Sequence, residues 1–340
     1  MSPIQGFTRL RYSQIGKQTV IGTGVPSTRR LPWRGTISYN PNRTDPDVDT
    51  GTLDPAITPY PMAPETTWDP TGMVTFNDLP YRLAAGLKGG VTPTGSAAVG
   101  YTWTYQLASL TADTFDYFTV ETGDDTAASD GIEGYGGVID TLSEEMGEDL
   151  GPWSFSDNWL FATAALATDK TAGLTVDDTP EYVFGADTVV YMDSNALAIG
   201  ITPLVDAVHG ATIKVSNALD QKRFANGSNV RFALQGYGRG PREVELTLTL
   251  AKTTATMAEA ATLDDDPVPL RFFDIKTISR EFAGGVVPMV YSRRGCFTLR
   301  SREEGEIGGN ATIVLTYKAQ YNSVLTYAYR ASVINALSAL

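Results

Sequence analysis

Alternating carboxylates at Asp45, Asp47 and Asp49 have the spacing with which a calcium loop opens, because every second side chain can turn toward one cation. Such a loop needs glycine at its sixth position and a bidentate glutamate at its twelfth. Thr50 and Ala56 stand there, so the stretch reads as a solvated acidic turn. Asp264, Asp265 and Asp266 are consecutive and point different ways on an extended chain. Followed by Pro267, they read as a helix terminator. Asp124, Asp125, Asp130 and Glu133 form another acidic loop of the same kind. Gly236-Tyr237-Gly238-Arg239-Gly240 would cradle a phosphate only between a strand and a helix N-terminus. Pro241 and a strand-like run follow it, so it reads as a β-turn, and 134–137 fails as a phosphate loop for the same reason. The one histidine, His209, and the one cysteine, Cys296, leave little for nucleophilic or zinc chemistry. No Gly-x-Ser-x-Gly elbow occurs, and Cys296 reads as a small core residue at a strand start. No residue is assigned to catalysis, to a cofactor or to a metal.

The elements that would have to position any site belong to a chain of 340 residues, 42% hydrophobic and 19% charged. That is the composition of a globular protein of one large domain or two ordinary ones. A single cysteine excludes an internal disulfide framework. The net charge of −13 argues against tight nucleic-acid binding, which needs cations to replace phosphate counterions. There is no apolar run long enough to span a membrane and no signal-peptide h-region in MSPIQGFTRLRYSQ, so a soluble protein kept in the cytoplasm until assembly is expected. The charge is unevenly spread. Residues 1–34 hold Arg9, Arg11, Lys17, Arg29, Arg30 and Arg34 and no acid, which leaves 20 basic against 39 acidic residues in the remainder. A basic arm on an acidic body is attracted to its own body or to that of another copy. Arg9, Arg11, Lys17, Arg29 and Arg30 are therefore the expected contacts between subunits, the alternative being a disordered leader or one that folds back as a strand on its own domain. On the first reading, removing residues 1–28 is expected to leave a folded chain that does not polymerise.

Strand-like alternation recurs at 35–39, 101–107, 117–121, 188–192, 211–216, 230–234, 243–250, 270–276, 296–300, 311–317 and 323–329, with turn residues between. Two helices are predicted. One spans 78–87, with Asp78 as N-cap, Pro80 in its first turn and Gly89-Gly90 as its stop. The other spans 254–263. Residues 333–340 read as a third helix or a tail. Prolines at 46, 55, 59, 61, 64 and 70 suit an extended loop over 45–70, and 169–180 reads as a linker. Similar element order on its two sides suggests a duplication. The domains predicted are a basic arm (1–34), a first β domain (35–168), the linker (169–180) and a second β domain (181–340).

Several phrases resemble the tail tube (major tail) proteins of long-tailed bacteriophages. They are Leu31-Pro32-Trp33-Arg34-Gly35, Val74-Thr75-Phe76-Asn77-Asp78-Leu79-Pro80-Tyr81, Leu87-Lys88-Gly89-Gly90-Val91-Thr92-Pro93 and Tyr101-Thr102-Trp103-Thr104-Tyr105. Val120-Glu121-Thr122-Gly123-Asp124-Asp125, Tyr135-Gly136-Gly137-Val138-Ile139-Asp140 and residues 153–159 are similar to the same family's middle section. The likeness covers roughly 33–161 and is looser beyond. It implies an all-β, mainly antiparallel fold: β-sandwich or half-barrel tube domains with one flanking helix each, plus the extended N-terminal arm. It also implies subunits that join into rings, as hexamers or as trimers of fused domains, and rings that stack into a hollow tube through which the genome passes. The implied partners are copies of the chain, a tape-measure protein and a tail-terminator protein. DNA would slide through the lumen without specific binding, and the location would be the virion tail.

Edge strands and charge agree with that picture. Strand edges left open in a monomer need a partner, and an acidic lumen would repel phosphate. The rival is a β-sandwich carbohydrate-binding module using Trp33, Trp68, Trp103, Trp153, Trp159 and the 16 tyrosines as a stacking platform. A glycosidase working only with carboxylates is a third possibility, although no pair of acids stands out.

Overall fold

Alternation in the sequence carries directly into strands. In Glu243–Ala251, Val244, Leu246, Leu248 and Leu250 are buried while Glu243 and Glu245 are exposed, the pattern of a strand with one face in a core. A computed structural model describes residues 11–46, 58–107, 113–124, 131–224, 234–279 and 288–340. Among them the architecture is mostly antiparallel β with two α-helices, as an all-β sandwich requires.

In chain order the strands are β1 (Arg11–Gln18), β2 (Arg29–Leu31), β3 (Ser38–Asn40), β4 (Arg43–Thr44), β5 (Tyr60–Pro61), β6 (Glu65–Trp68) and β7 (Thr71–Met73), followed by helix α1 (Leu79–Gly86). Next come β8 (Thr94–Ser96), β9 (Gly100–Gln106), β10 (Tyr117–Asp124), β11 (Gly131–Met146), β12 (Ser154–Ser156), β13 (Asn158–Leu160) and β14 (Thr163–Thr168). Residues 169–180 carry neither helix nor strand. Then follow β15 (Thr188–Asp193), β16 (Val208–Ser216), β17 (Leu219–Arg223), β18 (Leu234–Arg239), β19 (Glu243–Ala251), helix α2 (Thr254–Ala261), β20 (Leu270–Ile278), β21 (Val290–Ile307), β22 (Asn310–Ala319) and β23 (Tyr329–Asn335).

Two long strands join the sheets by changing partners along their length. One edge of β11 is lined by β12, β13 and β14, while the other pairs with β10 and then with β16. β21 has β20 on one edge and β23 followed by β22 on the other. The hydrogen-bonded path therefore runs β1-β10-β11-β16-β19-β22-β21, and from β21 through β23 to β9. Strands on the two sides of 169–180 pair with each other, and one cluster of buried apolar side chains draws on both.

The basic N-terminal stretch enters this network. β1 pairs with β10 from Arg11↔Asp124 to Gln18↔Tyr117 and with β2 on its other edge, and Ile15 is fully buried. All eight residues of α1 are buried, so this helix is enclosed rather than flanking. A helix apolar on every side belongs inside, and Leu79, Tyr81, Leu83, Ala84 and Ala85 leave Arg82 as its one charge. Asp78 does not cap it through its side chain. Its carboxylate instead accepts from the Thr75 hydroxyl at 2.7 Å and from Arg29 Nε at 2.6 Å. At the other end, orphan carbonyls receive the Asn217 amide (Gly86 O, 2.8 Å) and Arg242 (Leu87 O, 3.2 Å). Helix α2 does flank the body. It starts at a Thr253–Thr256 capping box and exposes Met257.

Some expectations shift. The glycine-rich 236–240 run is not a turn, because Gly236, Tyr237 and Gly238 lie in β18 opposite β17. The proline-rich loop gives way to strand at Glu65–Trp68, where Trp68 is buried. Residues 323–328 form a turn, with the strand starting at Tyr329 and running to Asn335 where a helix or tail was expected. Residues 230–233 and Arg9 lie outside the described residues.

Candidate assembly surface

Of the five basic residues read as intersubunit contacts, the four within the described residues have separate fates. Lys17 Nζ lies 2.8 Å from Asp116, and Arg29 bonds Asp78 inside the chain. Arg11 and Arg30 come together with Arg34 along a groove of about 650 Å³ that is also lined by Ser13, Leu31, Trp33, Gly35 and Val176. Pro32 and Arg34 are shared with a neighbouring recess of about 530 Å³ that also holds Glu145, Ser154 and Tyr182. β1 and β2 build the arginine groove because their antiparallel register sets Ser13 against Leu31. Arg34 joins them because its backbone is fixed in both directions to Thr71 (2.8 and 2.9 Å).

The tryptophans of the rival reading's platform are not presented outward. Trp33, Trp68, Trp103, Trp153 and Trp159 are all buried. Trp33, Trp68 and Trp159 pack on one another with ring centroids 5.6–6.3 Å apart, so their faces are taken by the core. Burial pushes the Cys296 thiol up to about 11, consistent with an inert core cysteine. Among the described residues no group of three or more His, Cys, Asp or Glu side chains is placed to hold a metal.

What the surface does present is apolar side chains on tightly held loops. Leu197, Ile201 and Val205 are 82%, 68% and 69% exposed, and Tyr321 and Val324 are 52% and 59% exposed. Both loops cover a small cluster of Ala196, Phe272 and Cys296, against which Ile199 and Leu325 pack. The first loop is braced by the buried Asp193 carboxylate, which accepts the N–H groups of Gly200 (2.8 Å), Ile201 (3.3 Å) and Thr202 (3.0 Å). Its return along β15, through Met192 N–H to Thr202 O and Leu204 N–H to Val190 O, covers that strand's edge. The second loop is fixed by Gln320 N–H to Cys296 O and by the Asn322 side chain, which accepts from Val324 and Leu325. Loops so braced cannot fold their apolar side chains inward. A second adhesive feature is β14, which pairs with β11 on one side and exposes Leu166.

A buried charge network, invisible in the sequence, anchors the fold beneath. Arg82 of α1 donates to Asp157 through Nε and Nη2 (2.7 and 2.8 Å) and to Glu144 of β11 through Nη1 (2.8 Å). Arg293 of β21 donates Nε to Glu144 at 2.9 Å, and the Tyr291 hydroxyl donates to the same carboxylate at 3.1 Å. The Arg293 guanidinium lies 3.9 Å from the ring centres of both Trp153 and Tyr291, a cation–π arrangement. Two guanidiniums balance two carboxylates, the condition under which such charges tolerate a dry interior. Burial works to raise Glu144, and Arg293 and Arg82 override it, holding that carboxyl below its ordinary value. At Asp157 burial prevails over Arg82 and the value is raised.

Another buried carboxylate ties distant segments to the sheet. Glu121 of β10 accepts from Ser27 N–H (3.3 Å) and from the Thr171 N–H and hydroxyl (2.6 Å each). Directly across the ladder stands Glu133. Burial raises its carboxyl, the Tyr135 hydroxyl bond opposes that shift, and the charge of Glu121 adds to it. No protein-family model matches this chain, and no curated protein matches its sequence.

Proposed function

We propose that this chain is a structural virion subunit that self-assembles into stacked rings forming a phage tail tube, without catalysis. The observation that carries the reading is the rigid pair of loops that holds Leu197, Ile201, Val205, Tyr321 and Val324 in water. Burying side chains of this kind contributes roughly 1.5–3 kcal/mol each when complete. Covering the three most exposed ones is then worth roughly 5 kcal/mol, near the lower end of the roughly 4–15 kcal/mol that association costs. One such contact holds a pair weakly. A closed ring gains an additional contact without a further loss of translational freedom, so assembly should be all-or-none with concentration. β14, which among the described residues pairs only with β11, and the acidic overall charge of −13 support the same reading, the latter because an acidic lumen lets DNA slide. Tape-measure and tail-terminator proteins would complete the structure.

The test is negative-stain microscopy with light scattering across a concentration series. Rings or tubes are expected from the wild-type chain. Leu197→Asp combined with Ile201→Asp should give a monomer with an unchanged circular dichroism spectrum. A wild-type chain that stays monomeric at millimolar concentration overturns the reading.

A further inference from the structure

The β21–β22 hairpin carries the opposite charge to the arginine groove. Its strands pair out to Ile307↔Asn310 and close through Gly308 and Gly309 at φ +55° and +82°, the positive values that a two-residue hairpin turn requires. Residues 302–306 near the tip are exposed and include Glu303, Glu304 and Glu306. From Glu303 to the end of the turn and onward to Tyr317 the sequence holds no Lys or Arg. Glu304 is engaged by Lys252 at 2.9 Å. Glu303 and Glu306, and on the groove side Arg11 and Arg34, have no ion-pair partner among the described residues.

The two features sit six strand steps apart along the path from β1 to β21. We propose that the acidic β21–β22 tip of one copy seats in the Arg11–Arg30–Arg34 groove of another. The match of charges selects a second copy as the occupant. The chain's own residues 1–10 carry Arg9 and no acid, and so repel the groove. The contact joins two different patches, so it propagates head to tail. It serves partner choice and register more than raw affinity, and it weakens with salt because both patches are solvated. The inference rests on the self-assembly reading and adds which surfaces meet.

The experiment reverses each side in the full chain, with Glu303→Lys plus Glu306→Lys in one variant and Arg11→Glu plus Arg34→Glu in the other. Alone, each variant presents like charges to itself and should need about tenfold more protein than wild type to assemble in low salt. Mixed in equal amounts, the lysine tip meets the glutamate groove and the native tip meets the native groove, so assembly should return toward the wild-type threshold. Restoration by mixing is a result that a merely misfolded variant cannot give. If both variants assemble like wild type, or if two variants with native circular dichroism fail to rescue each other, this docking is wrong while the ring reading stands. If wild type itself never assembles, both readings fall. If a labelled DNA duplex binds wild type and is lost from the arginine variant without any change in assembly, the groove belongs to nucleic acid and the proposal is overturned.

Discussion

Deleting residues 1–28 is the most instructive perturbation, because the arm reading and the structure lead to different outcomes. Read as an arm, the segment should come away and leave a folded chain that cannot polymerise. In the structure it supplies β1, the strand between β2 and β10. Loss of Tyr12 and Ile15, both buried, removes roughly 2 kcal/mol each. The backbone ladder to β10 goes with them, at about 1 kcal/mol or more for each interior group left unpaired. So do the Gln18 bonds to Thr119 (2.7 Å) and from Gly136 N–H (3.1 Å). The sum is on the order of 10 kcal/mol, as large as the roughly 5–15 kcal/mol that holds a native protein together, so the truncated chain should fail to fold. A gentler probe is Ile15→Ala, a large-to-small change at a fully buried site that should cost about 2–5 kcal/mol. With an unfolding entropy of about 2.1 cal/mol/K per residue, a chain of 340 residues converts that cost into a Tm drop of about 3–7 °C. Near-UV circular dichroism and thermal melts read both variants. A truncated chain with a native near-UV spectrum, or an alanine variant melting within about 1 °C of wild type, would refute the placement of β1 in the core.

Further outcomes concern the buried charges. Glu144→Gln leaves two guanidiniums facing one carboxylate and should cost about 3–5 kcal/mol. Adding Arg293→Met restores the balance, so the double variant should lose less than the sum, and strict additivity in urea unfolding followed by tryptophan fluorescence would contradict the coupling. Because the folded value of Glu144 is lowered from 4.5, its stabilisation is complete above that pH and is lost as pH falls through the folded value. The Gln variant should therefore show a shallower acid limb. Glu133 has the reverse sign. Its carboxyl is raised, so its charge penalises the folded state at neutral pH and the penalty fades as pH falls through the raised value. Removing a like-charge cross-strand pair is worth about 0.5 kcal/mol, so Glu133→Gln should melt slightly higher than wild type at pH 7, with the gain shrinking in acid. An equal gain at every pH would show that Glu133 carries no such penalty.

Local patterns determine much of this molecule. The β19 run Glu243–Ala251 alternates so regularly that its strand and its buried face follow from the residue types alone. Pro80 and the glycines after Leu87 bracket α1 because their backbone constraints are local. His209 and Cys296, one of each, limit the chemistry by count. Where local signals conflict with pairing, pairing wins. Gly236 to Gly238 has turn composition, yet the ladder to β17 draws it straight.

Only tertiary structure decides the rest, since it brings together residues that no spacing links. Arg82 meets Asp157 75 residues away, and Arg293 meets Glu144 across 149. Whether Lys17 and Arg29 face another copy or their own body depends on where Asp116 and Asp78 come to lie. The same holds for the five tryptophans, which composition would let stack a sugar and which the sheets close over. Side-chain type and alternation are properties of a few neighbouring residues, so regularly alternating strands such as β19 and the charge of each segment follow from the sequence alone. Which charges are matched, and which apolar groups stay in water, depends on the whole folded surface, and that only the assembled sheets decided.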